Sequence, residues 1–448
     1  MRGLTARWVA EAAGGELVAG DPAAPGPLKA TIDTRESGPG DLFFGLAGER
    51  ADGGAHAGAA LAAGAWGVLV APKHAERAAV AASGGAVVIA ADDPLGALQS
   101  LARAWRRELG CKVVGVTGST GKTSTKDILA AILAPHLTTH ATHENLNTEI
   151  GLPLTILAAA PGTQALVLEM AMRGEGQIAE LVAIADPDVG VIVNVGPVHL
   201  ELLGTVERVA AAKAELIRDL RRDAACVVPG GEALLKQHLR DDVDTITFGP
   251  GAAVQLLAFD PKADGLGGTA EIEARGERIV LELPYSEPHN LLNTLAAVAA
   301  ASALGVKPNG AVDASFSSLR GEVVELAGGV TVVNDCYNAN PMSMRAALKH
   351  LAESPAERRI AVLGTMAELG AGSDDFHREI GEEAAALGIE VLITVGAEAL
   401  AYDAGFDGET YAVPTPEEAG ALLEELAQPG DRVLVKGSRS AGLERVLA

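Results

Sequence analysis

Cysteine and basic residues are scarce in this 448-residue chain. Its three cysteines, Cys111, Cys226 and Cys336, are far apart and form no CxxC pair. This spacing excludes the common zinc-finger patterns and predicts free thiols in a reduced, cytoplasmic setting. The net charge of −24, from 35 basic and 59 acidic residues, argues against nucleic acid or an anionic membrane as a general partner.

Long apolar runs are absent as well. No uninterrupted apolar stretch reaches the ~18 residues needed to span a bilayer, and the first twenty residues lack the apolar core of a signal peptide. We therefore expect no membrane partner. In contrast, 48% of the residues are hydrophobic, which is enough to form large cores. At ~100–200 residues per domain, the length predicts two to four domains.

The pattern of apolar segments divides the chain into three parts. Residues 1–93 contain short apolar runs among many Gly and Ala residues, whereas residues 94–313 alternate β-branched strands with helical segments. Residues 314–448 form a second alternating series. Such alternation predicts parallel sheets covered by helices. We therefore predict an α/β fold with three domains at these boundaries.

A Gly-rich turn, GVTGSTGKTSTKD (residues 115–127), joins a predicted strand to a predicted helix. Free backbone N–H groups at such a turn attract phosphate, and so does the helix dipole. Lys122 would contact the β/γ-phosphates and the Thr123 hydroxyl would reach Mg²⁺, although Val116 replaces a glycine of the strict Walker pattern. The alternative is a strand–helix turn with a surface lysine. The motif predicts a nucleoside triphosphate but not the reaction.

Two polar residues follow the next predicted strands. Glu169 ends the strand ALVLEM, and His199 follows the strand VGVIVNVG. Ligands of open α/β sheets lie at the carboxyl ends of the strands, so Glu169 there would suit Mg²⁺ directly or through water. The alternatives are a solvated strand end for Glu169 and a structural hydrogen bond for His199.

Lys213 lies on the apolar side of the helix predicted over residues 206–217, whereas Glu215 and the other charges lie on the opposite side. A buried ammonium is unfavourable and tends to lose its proton. The neutral amine can react with CO₂ to form a carbamate, which is an anionic oxygen ligand suited to a second Mg²⁺. The alternative is a lysine that reaches solvent from the end of an apolar stripe.

Nine motifs follow one another along the chain: VTGSTGKTSTKD, LNTEIGLPLTIL, LVLEMAMRGEGQI, NVGPVHLELLG, AAAKAELI, PHNLLNTLAA, NDCYNANPMSM, GTMAELG and LVKGSRSAGLERVL. Their order resembles that of the Mur ligases, ATP-dependent amide-forming enzymes of peptidoglycan precursor synthesis. The resemblance covers nearly the whole chain.

The resemblance implies a function for each domain. The N-terminal α/β domain would bind the uridine substrate, the central parallel-sheet domain would be a P-loop ATPase, and the C-terminal α/β domain would be Rossmann-like. The implied cofactors are ATP and two Mg²⁺ ions, with Lys213 carbamylated by CO₂. The motifs DCYNANP and GTMAELG resemble those of members that use UDP-MurNAc-tripeptide and D-Ala-D-Ala as substrates.

The resemblance also implies roles for individual residues. ATP would be bound by the phosphate loop and three later residues: Gly118, Ser119, Thr120, Gly121, Lys122, Thr123, Ser124, Asn293, Arg320 and Asp335. The Mg²⁺ ligands would be Thr123, Glu169, His199 and Lys213, and the catalytic set Lys122, Lys213, His199 and Glu169. The uridine substrate would lie near Asp33, Thr34 and Arg35, and the acceptor dipeptide near Tyr337, Asn338 and Asn340.

Other functions stay open at this point. A sibling ligase would add a single amino acid, diaminopimelate or lysine, but the chain has no DNPR signature. Folylpolyglutamate synthase shares the central plan but not the N-terminal domain. A P-loop kinase would phosphorylate its acceptor stably, and a nucleotide-gated binding module would show no acceptor-dependent turnover. For the Mur ligase interpretation we expect a cytoplasmic monomer.

Overall fold

Three β-sheets follow one another along the chain, as expected for the α/β class. The computed structural model describes residues 1–448 except 2, 50, 83, 263–266, 317, 318, 320, 327 and 448. Within the described residues, no helix is both long and apolar enough to cross a bilayer. The domain boundaries at 93/94 and 313/314 fall between sheets and stay predictions.

The first sheet has five strands in the order β1-β5-β4-β3-β2, with only β1 antiparallel to its neighbour. Its strands and helices are β1 Glu16–Ala19, β2 Lys29–Thr31, β3 Asp41–Phe44, β4 Gly67–Val70, β5 Val87–Ala90, α1 Ala6–Ala12, α2 Ala57–Ala62 and α3 Pro72–Ala81. Strands β3 and β4 are buried along their whole length, which explains their continuous apolar runs.

Helix α4 (Pro94–Leu109) connects the first sheet to the second. Asp93 caps its N-terminus by accepting a hydrogen bond from the backbone N–H of Leu95, and a left-handed Gly110 ends it. The Trp105 indole N–H donates to the carbonyl of Ala159, 3.1 Å away, in the central part. The helix therefore packs in a core shared by the first two sheets.

The central sheet has ten strands in the order β15-β14-β13-β12-β11-β10-β9-β6-β8-β7. The strands are β6 Lys112–Thr117, β7 Thr139–Ala141, β8 Ala165–Glu169, β9 Val189–Ile192, β10 Ala225–Pro229, β11 Asp244–Phe248, β12 Val254–Pro261, β13 Gly268–Ala274, β14 Glu277–Leu283 and β15 Gly310–Ala311. The helices are α5 Lys122–Leu133, α6 Gly151–Ala158, α7 Gln177–Ala185, α8 Leu200–Leu203, α9 Val206–Asp219 and α10 Pro288–Ala303.

Strands β8 and β9 both pair in parallel with β6. The carboxyl ends of these three strands therefore meet at one sheet edge, where α/β folds bind their ligands. The phosphate loop follows β6, Glu169 ends β8, and His199 lies seven residues beyond the end of β9. The expectation that these segments share one edge is confirmed.

The predicted parallel pairing holds for β6, β8 and β9, whereas strands β12–β14, which the sequence analysis did not assign, form an antiparallel meander. Strands β13 and β14 alternate buried and more exposed residues along their length, the pattern of an antiparallel sheet with one solvated face. Arg275 and Gly276 connect them with φ of 52° and 85°, which suits the two-residue turn of a β-hairpin.

The third sheet has six strands in the order β16-β17-β21-β18-β19-β20, of which only β16 is antiparallel. They are β16 Glu322–Leu326, β17 Val330–Asn334, β18 Arg358–Gly364, β19 Val391–Val395, β20 Glu409–Val413 and β21 Asp431–Lys436, with α11 Pro341–Glu353, α12 Ser373–Ala386 and α13 Pro416–Leu426. The edge strands β16 and β20 escaped the sequence analysis because they are half-exposed and lack an apolar run.

Leu216 fixes α9 against the central sheet. Its side chain is fully buried and lies over Gly190 of β9, where an added Cβ would come within 2.9 Å of its Cγ. A Cβ on Gly115 of β6 would be 3.7 Å from its Cδ1. Because Gly190 and Gly115 have no side chains, α9 can pack close to the sheet at these positions. Lys213 is on the same helix and is therefore held near the sheet.

We predict that Leu216→Ala lowers the free energy of unfolding by about 2–5 kcal/mol, because it leaves a cavity between α9 and the sheet. Leu400→Ala is the matched control, since Leu400 is half-exposed and its truncation should change stability by less than ~1 kcal/mol. Urea denaturation followed by circular dichroism measures both. Equal destabilisation by the two variants would contradict this packing argument.

Candidate active site

The phosphate loop has the geometry that anion binding requires. It leaves β6 after Thr117, and α5 begins at Lys122. Gly121 is left-handed, with φ of 73°, and immediately precedes the helix N-terminus, where the backbone N–H groups and the dipole attract anions. The Lys122 ammonium donates to the carbonyl of Gly118, 2.9 Å away, so its charge already lies over the loop.

Other predicted nucleotide ligands surround this loop. Ser119 is buried, Thr120 and Ser124 are half-buried, and Asn293 of α10 lies directly against Gly121. A Cβ on Gly121 would be 2.6 Å from the Asn293 Oδ1, so both the backbone conformation and the close contact require glycine here. The predicted position of Asn293 beside the nucleotide loop is consistent with this contact.

A buried carboxylate lies at the end of β8. Glu169 is only 2% exposed, and its Oε2 accepts a hydrogen bond from the Thr123 hydroxyl at 2.8 Å. Its Oε1 accepts another from the Asn147 side-chain amide, also at 2.8 Å. Mg²⁺ prefers oxygen ligands and commonly combines one or two carboxylates with phosphate and water. Thr123 and Glu169 therefore fit the predicted ion.

The segment after β7 fixes the backbone of Glu169 and the helix α5 through Thr142. The backbone N–H of Glu169 donates to the Thr142 hydroxyl at 3.0 Å, and the buried Lys126 ammonium donates to the Thr142 carbonyl at 2.7 Å. Lys126 is on α5, four residues after Lys122. Helix α5, strand β8 and the segment after β7 are thus connected through one threonine.

Lys213 is buried on α9, with 2% of its surface exposed. Burial and the nearby Lys122 ammonium lower the pKa of Lys213 well below its usual value of 10.5. The predicted burial is confirmed, and the shifted pKa favours the neutral amine that carbamylation needs. The placement of Glu215 among the solvated charges is wrong: it is 6% exposed and accepts hydrogen bonds from the backbone of Gly176 and Ala179 at the start of α7.

His199 lies just before α8 with a left-handed backbone, φ 54°. Its Nδ1 hydrogen-bonds to the carboxylate of Glu368, which belongs to the third sheet's part of the chain. This bond and the nearby imidazole hold the pKa of Glu368 below its usual range. Among the described residues, no three His, Cys, Asp or Glu side chains lie close enough together to hold a metal ion. His199 and Glu169 are therefore not part of one such cluster.

The loop after β9 is bound to the phosphate loop. The Asn194 Oδ1 accepts a hydrogen bond from the backbone N–H of Thr120 at 2.9 Å. The Gly196 N–H donates to the Ser119 hydroxyl at 2.9 Å, and that hydroxyl donates to the Gly196 carbonyl at 3.1 Å. Movement of this loop would therefore move the phosphate-binding backbone.

The predicted C-terminal residues lie around one buried lysine. The Lys436 ammonium donates to Asp335 Oδ2 at 2.5 Å and to the Asn338 carbonyl at 3.1 Å. The backbone N–H of Tyr337 donates to the Leu319 carbonyl at 3.2 Å. Arg320 lies outside the described residues, and the nucleotide and dipeptide contacts of this group stay predictions.

Asn340 has a structural role that the sequence analysis did not assign. It is the N-cap of α11: its side-chain oxygen accepts from the Ser343 N–H at 3.0 Å, and Ser343 Oγ accepts from the Asn340 N–H at 3.1 Å. This reciprocal capping box fixes the start of the helix. Its predicted contact with the acceptor dipeptide stays a prediction.

The predicted uridine contacts lie in an exposed turn after β2. Arg35 donates to both oxygens of Asp33, with Nε at 3.0 Å and Nη2 at 2.5 Å. These hydrogen bonds lower the pKa of Asp33 to about 2. The carbonyl of Thr34 between them accepts from the Ser37 N–H at 3.4 Å. The turn is well defined, and its uridine contacts stay predictions.

Three residues of this site were missed from the sequence: Asn147, Asn194 and Glu368. Asn147 and Glu368 stand inside the motifs LNTEIG and GTMAELG, and Asn194 opens the motif NVGPVHLELLG two residues after the end of β9. A polar residue at the end of a buried parallel strand was the available signal for Asn194. For the other two, only their place in a shared motif distinguished them from surface residues.

Comparison with known proteins agrees with this geometry. Residues 116–301 match the Mur ligase middle domain, and residues 319–439 match the Mur ligase glutamate ligase domain. A relative from Bacillus subtilis (strain 168), named UDP-N-acetylmuramoyl-tripeptide–D-alanyl-D-alanine ligase, is 36% identical over 93% of this chain and 91% of its own. The chain belongs to the Mur ligase family.

Solved structures of the family agree in fold. MurF from Acinetobacter baumannii superposes with a TM-score of 0.87 at 28% identity, over 99% of this chain and 97% of that one. MurF from Thermotoga maritima in complex with ADP has a TM-score of 0.81 at 32% identity, over 94% and 96%. The three-part α/β organisation expected from the motifs is therefore confirmed.

We predict that Lys213→Met stabilises the protein near neutral pH in CO₂-depleted, Mg²⁺-free buffer. Below pH 10.5 the unfolded chain binds a proton that the folded Lys213 gives up, so the stability of the wild type rises with pH in this range. The advantage of the methionine variant should therefore shrink as the pH approaches 10.5. Chemical denaturation from pH 7 to 10 measures the difference.

The matched control is Lys349→Met on the exposed face of α11, where the lysine side chain is 62% exposed. It should change stability by less than ~0.5 kcal/mol at every pH. A Lys213→Met variant that is less stable than the wild type at pH 7, or a pH-independent gap, would contradict a neutral buried amine.

Proposed function

We propose that the chain is the ATP-dependent ligase that joins D-Ala-D-Ala to UDP-MurNAc-tripeptide, releasing ADP and phosphate. One observation carries the assignment: a phosphate loop whose Thr123 hydroxyl bonds to the buried Glu169, in a chain that aligns over 93% of its length with the dipeptide-adding relative. A ligase that adds a single amino acid is not favoured by these relatives. The reduced thiols support a cytoplasmic location.

The reaction has two chemical steps. The terminal carboxylate of the tripeptide attacks the γ-phosphorus of ATP, so that an acyl phosphate forms and ADP leaves. The amine of D-Ala-D-Ala then attacks the acyl carbon, and the tetrahedral intermediate collapses to the amide and phosphate. The first step brings two anions together, so positive charge must dominate its catalysis.

The residues of the site suit the first step. Lys122, whose ammonium lies over the phosphate loop, would neutralise the β- and γ-phosphates, and the loop's N–H groups would orient them. Thr123 and Glu169 would hold one Mg²⁺, and His199 and a carbamylated Lys213 would hold a second. When bound, the ions supply the positive charge that draws the carboxylate towards the γ-phosphate.

The carbamate follows from the burial of Lys213. A neutral lysine amine attacks CO₂, forms a C–N bond and releases a proton, which converts the side chain into an anion. The lowered pKa of Lys213 makes the amine available at neutral pH, whereas an ordinary lysine is protonated. An anion at this buried position would be stabilised by Lys122 and by the second ion.

The C-terminal part would protect the acyl phosphate from water. Its residues already contact the loop after β9 through Met342 and Glu368, which is the loop bound to the phosphate-binding backbone. Exclusion of water strengthens the electrostatic interactions and prevents hydrolysis of the reactive intermediate. Asp335 and Arg320 would make this docking sensitive to the nucleotide.

We predict that phosphate is released only when ATP, UDP-MurNAc-tripeptide and D-Ala-D-Ala are all present, because the acyl phosphate needs the amine for turnover. A coupled phosphate assay measures the rate, with each substrate omitted in turn as control. Free D-Ala, L-Lys or diaminopimelate in place of the dipeptide should give little turnover. Robust turnover with a free amino acid and none with the dipeptide would overturn the assignment.

We predict that Lys213→Ala lowers the ligase rate on the order of 10²–10³-fold, because a proposed ligand of the second Mg²⁺, and with it part of the electrostatic stabilisation of the transition state, is removed. Added formate or acetate should restore part of the rate by supplying a carboxylate in the vacated space. Lys349→Ala should keep the wild-type rate. Full activity of Lys213→Ala without added acid would refute the carbamate.

A further inference from the structure

The loop that carries His199 is contacted by the C-terminal part of the chain. The His199 Nδ1 hydrogen-bonds to the carboxylate of Glu368, and the backbone N–H of Glu201 donates to the Glu368 carbonyl at 3.2 Å. Gly370 lies so close to Glu201 that a Cβ there would be 3.2 Å from its Cα. Backbone and side chain therefore both join the two loops.

Both partners of this hydrogen bond have an unusual backbone. His199 and Glu368 are left-handed, with φ of 54° and 63°. Non-glycine residues rarely adopt this conformation, which persists where the surrounding structure imposes it and is common at functional sites. The contact thus joins two loops, and each loop has a left-handed non-glycine residue at the point of contact.

Glu368 also contacts a second strand end. Its Oε1 lies 3.3 Å from the Nε of Arg173, which follows β8 four residues after Glu169. One carboxylate of the C-terminal part therefore reaches the segments that follow β8 and β9, on both sides of the phosphate loop. Arg173 is mostly exposed, with 73% of its side chain accessible, whereas His199 is largely buried.

A second contact joins the same parts of the molecule. Met342 of α11 lies directly against Gly196, where an added Cβ would collide with the methionine sulfur. Gly196 is the residue whose backbone exchanges hydrogen bonds with Ser119 of the phosphate loop. The segment 194–201 is therefore held by the phosphate loop on one side and by the C-terminal part on the other.

We propose that Glu368 is a positioning residue for His199, which makes binding of the second metal ion depend on docking of the C-terminal domain. This inference rests on the proposed metal role of His199. Metal-binding histidines commonly donate their other ring N–H to a carboxylate, which fixes the tautomer and the ring orientation. Glu368 accepts at Nδ1 and so leaves Nε2 as the nitrogen that can bind a cation.

The test is Mn²⁺ binding to the full chain with ADP, followed by electron paramagnetic resonance. Glu368→Ala should weaken the affinity of one Mn²⁺ site by about 10–100-fold, the usual effect of losing such a partner. Glu368→Gln retains an oxygen acceptor for the imidazole N–H and should recover part of that loss. If Glu368 only stabilised the fold, the Mn²⁺ affinity of Glu368→Gln would not lie between those of Glu368→Ala and the wild type.

Two variants are controls. Arg173→Ala removes the other ionic partner of Glu368 and leaves its bond to His199, so Mn²⁺ affinity should stay within ~3-fold of the wild type. Glu424→Ala removes an exposed carboxylate of α13 and should have no effect. If Arg173→Ala weakens Mn²⁺ binding as much as Glu368→Ala does, Glu368 acts as a general tether and the inference fails.

His199→Ala separates this inference from the function on which it rests. If His199→Ala weakens Mn²⁺ binding and Glu368→Ala leaves it unchanged or tightens it, the positioning role is refuted while the metal site stands. If His199→Ala binds Mn²⁺ like the wild type, the metal role of His199 and the inference both fail. The phosphate-release assay tests the ligase reaction independently of these outcomes.

Discussion

The buried carboxylate of Glu169 is the constraint on which the rest of the site depends. A carboxyl group at 2% exposure is strongly unfavourable unless its oxygens are hydrogen-bonded. Thr123 and Asn147 each donate to it at 2.8 Å, so the phosphate helix and the segment after β7 must both meet the end of β8. Thr142 accepts a hydrogen bond from Lys126 through its carbonyl and one from the Glu169 backbone through its hydroxyl. The Thr123 and Glu169 oxygens are therefore already close together, as the binding of one cation by both would require.

Local signals explain what could be predicted from the sequence. A buried strand, a Gly-rich turn and a helix are encoded in one continuous segment, residues 112–133, so the phosphate loop and its position at a sheet edge followed directly. The apolar stripe around Lys213 predicted its burial for the same reason. The mistaken placement of Glu215 shows the limit of helical geometry, because the backbone N–H groups that it binds, those of Gly176 and Ala179, lie at the start of a helix thirty-six or more residues away.

Contacts between distant segments explain what was not predicted. Glu368 and His199 are 169 residues apart, and no period or spacing links them. Glu368 stands in a turn-like motif, GTMAELG, where an acidic residue is ordinarily solvated. The antiparallel meander of β12–β14 is a different case, since the alternating pattern of β13 and β14 and the Arg275–Gly276 turn lie close together in the sequence but were not assigned to any element there.

Lys213 shows why stability alone does not account for this site. A fully apolar side chain would pack on the same stripe without a desolvation penalty, and α9 is already fixed to the sheet by Leu216. Burial beside Lys122 shifts the pKa in the direction that weakens folding at neutral pH. Residues that break the local rules of packing concentrate where the chemistry requires them. An amine whose pKa is lowered by burial beside Lys122 is therefore in keeping with the carbamate proposed above, which needs a neutral lysine at this position.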